Sequence, residues 1–291
     1  AINNADMKSY GWEMELSWRD RINEFNYGVR FTLADGQREV TKYPNESGDI
    51  NTWYAGKLDG TIWGYTTVGI AQTQEEMDAH LAKNKPNWGS KWGAGDVMYA
   101  DLNGDGEVTS GSSTLGDHGD LTVIGNSYAR YNFGLTLDGS WKGLDFSVFL
   151  QGVMKRDYWL SGPYFWGASG DEWQSACFTE HLDYWTPDNP DAYYPKPYFG
   201  GITKNQQVQT GYLQNAAYLR VKNVQIGYTL PKSWTQKASM ESVRFYVSGD
   251  NLLTLTGISA IFDPETLGGD WGPGKLYPLQ RTISVGVNVN F

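Results

Sequence analysis

A single cysteine, Cys177, stands among 291 residues, which excludes an intramolecular disulfide and any Cys-rich zinc or iron–sulfur site. Histidine is nearly as scarce. His80, His118 and His181 are dispersed, no serine occupies a nucleophile elbow, and no paired-His motif accompanies the cysteine. No apolar run approaches the roughly 18 residues of a membrane helix. Clusters of Lys and Arg are missing too, and 23 basic against 33 acidic residues leave a net charge of −10. Nucleic acid is therefore a poor partner, because neutralising phosphates needs clustered cations. The opening AINNADMKSYGW lacks a basic stretch followed by an apolar one, so no signal peptide is visible. The start reads as cytoplasmic, or as a mature or internal one. Mean hydropathy is −0.51. That value usually indicates a soluble protein, yet a membrane β-barrel alternates lipid-facing and lumen-facing residues and averages as low.

What the chain does have is glycine (35 residues) and aromatic rings (15%), set in strict period-2 alternation. Such alternation puts one set of side chains on each face of a strand. Ile283, Val285, Val287, Val289 and Phe291 alternate with Thr282, Ser284, Gly286, Asn288 and Asn290. Trp12, Met14, Leu16 and Trp18 repeat the pattern, as do Phe25 to Leu33, Phe133 to Leu137, Leu144 to Leu150, and Phe245 with Val247. Along 218–230 the phase slips: Leu219 and Val221 share one parity, Val224, Ile226, Tyr228 and Leu230 the other. One extra residue near Asn223 restores a single apolar face, which is what a β-bulge does. The pattern predicts seven strands, at roughly 10–20, 25–36, 129–139, 141–153, 217–230, 242–255 and 279–291.

The connections alternate in length. Three are short, and three are long, at about 37–128, 154–216 and 256–278. Loops beyond about 12–15 residues are uncommon in compact domains and usually carry function. Short turns on one side and long loops on the other are the outer-membrane barrel pattern. If Phe291 ends its strand on the periplasmic side, the first strand begins outside the cell. Seven strands starting outside make an incomplete set, since a single-chain bacterial barrel has an even number. The expectation is an all-β fold: residues 1–291 as the C-terminal part of a large antiparallel transmembrane β-barrel, with long structured extracellular loops. Two alternatives remain open, a soluble β-sandwich carbohydrate-binding module and a stand-alone small outer-membrane barrel.

Several stretches, in order, resemble the C-terminal region of SusC/RagA-type TonB-dependent outer-membrane transporters of Bacteroidota. They are GWEMELSWRD (11–20), DVMYADLNGDGEV (96–108), IGN (124–126), YNFGLTLDGSWKGLDFSVFLQGV (131–153), YWTPDNPDAYYP (184–195), AAYLRVKNVQIGYTLP (216–231), VRFYVSGDNLLTLT (243–256), DPE (263–265) and RTISVGVNVNF. The resemblance implies a 22-stranded barrel with an N-terminal plug, energised by the TonB complex and capped by a SusD-like surface lipoprotein. It implies import of an oligosaccharide or peptide across the outer membrane. The plug and the TonB-contact segment are not in this chain.

Asp101, Asn103, Asp105 and Glu107 place oxygens at positions 1, 3, 5 and (by its carbonyl) 7 of an EF-hand-type loop, with Gly106 at 6. Ser112 stands where a bidentate glutamate is needed, and Asp117 or Asp120 is the candidate substitute carboxylate. The cation this suits is a structural Ca²⁺; the other reading is a metal-free Asp/Asn/Gly turn. Thr73 to Glu76 reads as a capping box opening a helix that carries Met77 and Leu81 and ends near Lys83. A second short helix is expected in 171–184. The loop 154–216 is dense in rings, and Tyr164, Phe165, Trp166 and Trp173 are candidates for stacking on cargo. No catalytic constellation is present, and Asp263-Pro-Glu265 reads as a turn, so no enzyme is expected. In the last strand Ile283, Val285, Val287, Val289 and Phe291 are expected to face lipid.

Overall fold

The computed structural model describes residues 4–167, 177–198, 203–268, 272 and 274–291. Seven long strands pair antiparallel in strict chain order: β1 (Asp6–Ile22), β2 (Phe25–Lys42), β3 (Arg130–Trp141), β4 (Leu144–Lys155), β5 (Gln214–Thr229), β6 (Ser242–Gly257) and β7 (Thr282–Asn290). The short strand Asp157–Tyr158 adds to the start of β5. The sheet is an open meander, because β1 and β7 do not pair with one another.

Register carries the alternation across the whole sheet. Trp18, Val29, Leu137, Val148 and Val224 lie in one cross-strand row, and Leu16, Phe31, Leu135, Leu150, Val221 and Leu253 in another. Both rows belong to a single apolar face. They stay in phase only because β5 advances three residues, Val221 to Val224, while β4 advances two, Leu150 to Val148. That is the bulge expected near Asn223, and its extra residue is Lys222. β6 is irregular at the same level, where Asn251 takes a positive φ of 51°. No second sheet covers the apolar face among the described residues; Ile283 and Val285 remain 71% and 79% exposed. A soluble sandwich would bury that face, so that alternative fails here.

The opposite face is polar and ion-paired. Arg30 meets Glu15, Arg19 meets Asp138, and Arg244 forks onto Asp145. Gly227 leaves the room that Arg244 uses: a Cβ there would lie 2.4 Å from the guanidinium. The turn from β3 to β4 is just Lys142-Gly143, both at positive φ, the two-residue geometry that matches strand twist.

The buried core lies in the long connections, not in the sheet. β1 and β2 run 17 and 18 residues, well beyond the roughly 9–11 that span a membrane. The far end of β2 carries the first long connection, through Val40 N–H to Lys57 and an Arg38–Asp59 ion pair. Inside that connection α1 (Gln74–Leu81) forms as predicted, with Thr73 Oγ1 accepting from Glu76 N–H and Met77 fully buried. Glu76 reaches back to Gln72 N–H, one residue earlier than a standard capping box. Within 171–184, residues 171–176 lie outside the described residues, and Thr179–Leu182 is a 3₁₀ turn.

Candidate functional site

Three long connections meet over one rim of the sheet and share one aromatic core. Tyr65 and Tyr99 come from the first, Phe165, Trp166, Tyr194 and Tyr212 from the second, Phe262 and Leu267 from the third. Phe165 sits edge-on to Trp166, Tyr194 and Tyr212. Edge-to-face pairs add about 0.5–1.5 kcal/mol each beyond area burial. Such a cluster holds long loops in one arrangement.

The core takes in two of the four rings expected to stack on cargo. Phe165 and Trp166 are buried, at 0% and 5% exposure, and offer cargo no ring face. Tyr164 is half-buried, stacks on Phe178, and its carbonyl is met by His181 Nε2. Trp173 lies outside the described residues. Among the described residues of the second connection, the exposed rings are Phe178, Tyr184 and Tyr193. Tyr193 takes a hydrogen bond from Gln214 Nε2 at the start of β5 and packs edge-on to Tyr212. Tyr184 and Tyr193 belong to YWTPDNPDAYYP, one of the stretches that carry the family resemblance. In that motif Trp185 and Tyr194 are the buried packing residues. Exposed Tyr184 and Tyr193 each stand directly before a buried ring, so residue type does not separate the two roles.

A buried polar staple joins the first and second connections. The Asp96 carboxylate accepts from Gly93 N–H (2.8 Å), Asn205 Nδ2 (3.0 Å) and Lys204 Nζ (2.8 Å), with both charged side chains almost fully buried. The Lys204 ammonium lies 3.9 Å from the centre of the Tyr198 ring. Burial, reinforced by Asp96, pushes the Tyr198 phenol up to about 12. Tyr99, buried beside Gln209, is raised further by burial. No sequence motif announced this pair, since its members stand 108 positions apart.

A second latch fixes the third connection to the polar face of the sheet. Arg220 on β5 donates from Nε to Thr254 Oγ1 (2.8 Å) and from Nη2 to Asp263 (2.7 Å). Lys222, the bulge residue, donates to Glu265 at 2.9 Å. Arg220 Nη1 lies 2.9 Å from Glu265 Oε1, an ion pair without hydrogen-bond alignment. Burial opposes ionisation of Asp263, but N–H donation from Glu265 and Leu279 and the Arg220 guanidinium outweigh it and lower its pKa. The carboxylates of DPE are thus committed to two cations, which agrees with a structural turn.

In the Asp-rich turn, Asp101 accepts from Gly104 and Gly106 N–H, and Asn103 and Asp105 accept from residues two places on. Gly106 N–H is the chief cause of the lowered Asp101 pKa. Asp120 does not join them. Fully buried, it accepts from Leu102, Asn103 and Thr109 N–H, so its oxygens close the loop. Glu107 is an exposed side chain whose expected contribution is its carbonyl. No three acidic, His or Cys side chains converge among the described residues.

Relatives match this architecture along 99% of the chain. TonB-dependent receptor P3 of Formosa agariphila is 24% identical, and TonB-dependent receptor SusC of Bacteroides thetaiotaomicron 22%. Among solved structures, the RagAB peptide transporter superposes with a TM-score of 0.70 at 22% identity, again over 99% of this chain. No family model matches. The resemblance to SusC/RagA-type TonB-dependent receptors is borne out. The chain spans 29% of receptor P3 and 30% of the RagAB chain, so it corresponds to part of such a protein, and a C-terminal part fits. Its open seven-stranded meander is then an arc of a large antiparallel barrel. Relatives of this kind are receptors and transporters, not enzymes, in keeping with the absence of a catalytic motif.

Proposed function

We propose that this chain forms part of the wall and mouth of a TonB-dependent outer-membrane importer for a glycan or peptide nutrient. It works with a SusD-like surface lipoprotein, and its coupling to the TonB complex runs through parts of the receptor outside this chain. One observation carries the reading: all seven strands share one exposed apolar face opposite a polar, ion-paired face, while every long connection is gathered over a single rim. In a bilayer that is a lipid face, a wet lumen and an external mouth. RagAB is a peptide transporter, and SusC-type relatives support nutrient uptake in general. Tyr184 and Tyr193 are the exposed rings placed to meet cargo or the lipoprotein. The test is deletion of the gene, followed by growth on panels of oligosaccharides and oligopeptides as sole nutrient. Loss of growth on one class is expected; unchanged growth on every member overturns the reading.

For the turn at Asp101, Asn103, Asp105 and Glu107 we propose a structural Ca²⁺. The spacing and the wrapped backbone support it. The proposal takes the solvent-accessible Asp101, Asn103 and Asp105 as its side-chain ligands and leaves out Asp120, which is fully buried.

A further inference from the structure

The turn joining β5 to β6 differs from the other two short connections. Those are two-residue turns, Asn23-Glu24 and Lys142-Gly143, and their charges cancel: Lys142 Nζ pairs with Glu24 at 2.9 Å. The β5–β6 connection is longer and holds a helical turn, α2 (Lys232–Thr235), followed by a 3₁₀ turn, Gln236–Ala238. Lys232, Trp234 and Lys237 are exposed, Trp234 by 64%. Neither lysine forms an ion pair among the described residues, although acidic groups outnumber basic ones in the chain. The turn also leans to one side of the sheet. Val243 belongs to the apolar face with Phe245 and Val247, which are 48% and 50% exposed, yet it is only 6% exposed, and α2 packs on β6. Two unpaired cations and a tryptophan therefore sit at the end of the apolar face, next to the exposed rings of Tyr228 and Phe245.

We propose that this turn is a docking surface for an anionic phospholipid headgroup of the periplasmic leaflet. Lys232 and Lys237 face the phosphate, and Trp234 lies at the boundary of headgroups and acyl chains. The inference rests on the barrel reading above. Its physical grounds are general: tryptophan concentrates at the membrane–water boundary, and each Lys or Arg close to an anionic surface gains attraction that salt screens. The charge complementarity favours lipid over an acidic protein, because the apolar face continues from the turn without a break.

The full-length gene product is reconstituted in phosphatidylcholine vesicles with and without phosphatidylglycerol. The temperature at which the folded, heat-modifiable band disappears is read in each. Wild type is expected to gain stability from phosphatidylglycerol, and about 1 M salt to remove that gain. K232Q/K237Q is expected to lose the gain while keeping its folded band in phosphatidylcholine. K142Q, whose amine is already neutralised by Glu24, is expected to keep it. A double variant that retains the whole gain, or an equal loss in K142Q, overturns the assignment. A wild-type protein that gives no heat-modifiable band in any vesicle instead overturns the barrel reading, and this proposal with it.

Discussion

Val287 and Asn288 are neighbours in sequence whose environments differ because a strand turns over at every residue. Val287 shares the apolar face with Phe245, and Asn288 lies opposite Arg244 on the polar face. Val287→Arg is expected to cost about 2–4 kcal/mol if the position lies at the bilayer midplane. Asn288→Arg places its charge in a wet lumen and is expected to be far milder. Heat-modifiable migration of both variants checks this, and the reverse order shows that the faces are assigned one residue out of register. At Asp101 and Asp105 the residue-scale question is the cation. If Ca²⁺ binds, millimolar calcium raises the unfolding temperature and the paired change of Asp101 and Asp105 to Asn removes the rise. No shift in wild type shows that the backbone N–H groups alone satisfy the turn.

At the scale of an element, the Arg220–Asp263–Glu265–Lys222 latch decides where the third connection sits. Asp263→Ala leaves the buried Arg220 with one carboxylate. The expected loss is about 3 kcal/mol, the lower end of the range for breaking a buried pair, because Glu265 remains. Faster hydrogen exchange from Ile258 to Leu267 is the readout. The pH dependence follows from the lowered Asp263 pKa. A carboxylate whose folded pKa lies below its unfolded value contributes stability above that unfolded value, near 3.9, and loses it as pH falls through the folded one. Exchange in this loop is therefore expected to stay slow at neutral pH and to rise only in acid below about pH 4. The bulge that supplies Lys222 was legible as a phase slip in the sequence. Its partner was not, because nothing in one dimension says which loop carboxylate returns to the wall.

For the molecule as a whole, rigidity of the mouth depends on the loops being one packed body. Lys204→Met keeps much of the side-chain volume but removes the cation from the buried Asp96. Loss of one partner of a buried pair costs about 3–5 kcal/mol. Exchange is expected to rise together around 91–99 and 203–209, two segments joined through this staple. A rise confined to one segment shows that the loops open independently.

The sequence by itself determined the strands, their faces, the bulge and the division into short turns and long loops. These are consequences of local period and of Gly, Asn and Asp turn chemistry, which need only neighbours in the chain. It also carried the resemblance to SusC/RagA-type receptors. Only the tertiary structure decided which rings pack and which remain exposed. Phe165 and Tyr193 are equally aromatic, but the first is enclosed by rings of its own connection and by Phe262 of the third, while the second is exposed at the cluster's margin. It likewise made buried Asp120 a clasp for N–H groups, and brought Asp96 to Lys204 across more than 100 positions. Burial and charge pairing are sums over groups distant in sequence, so they exist only once the connections have folded together over the rim.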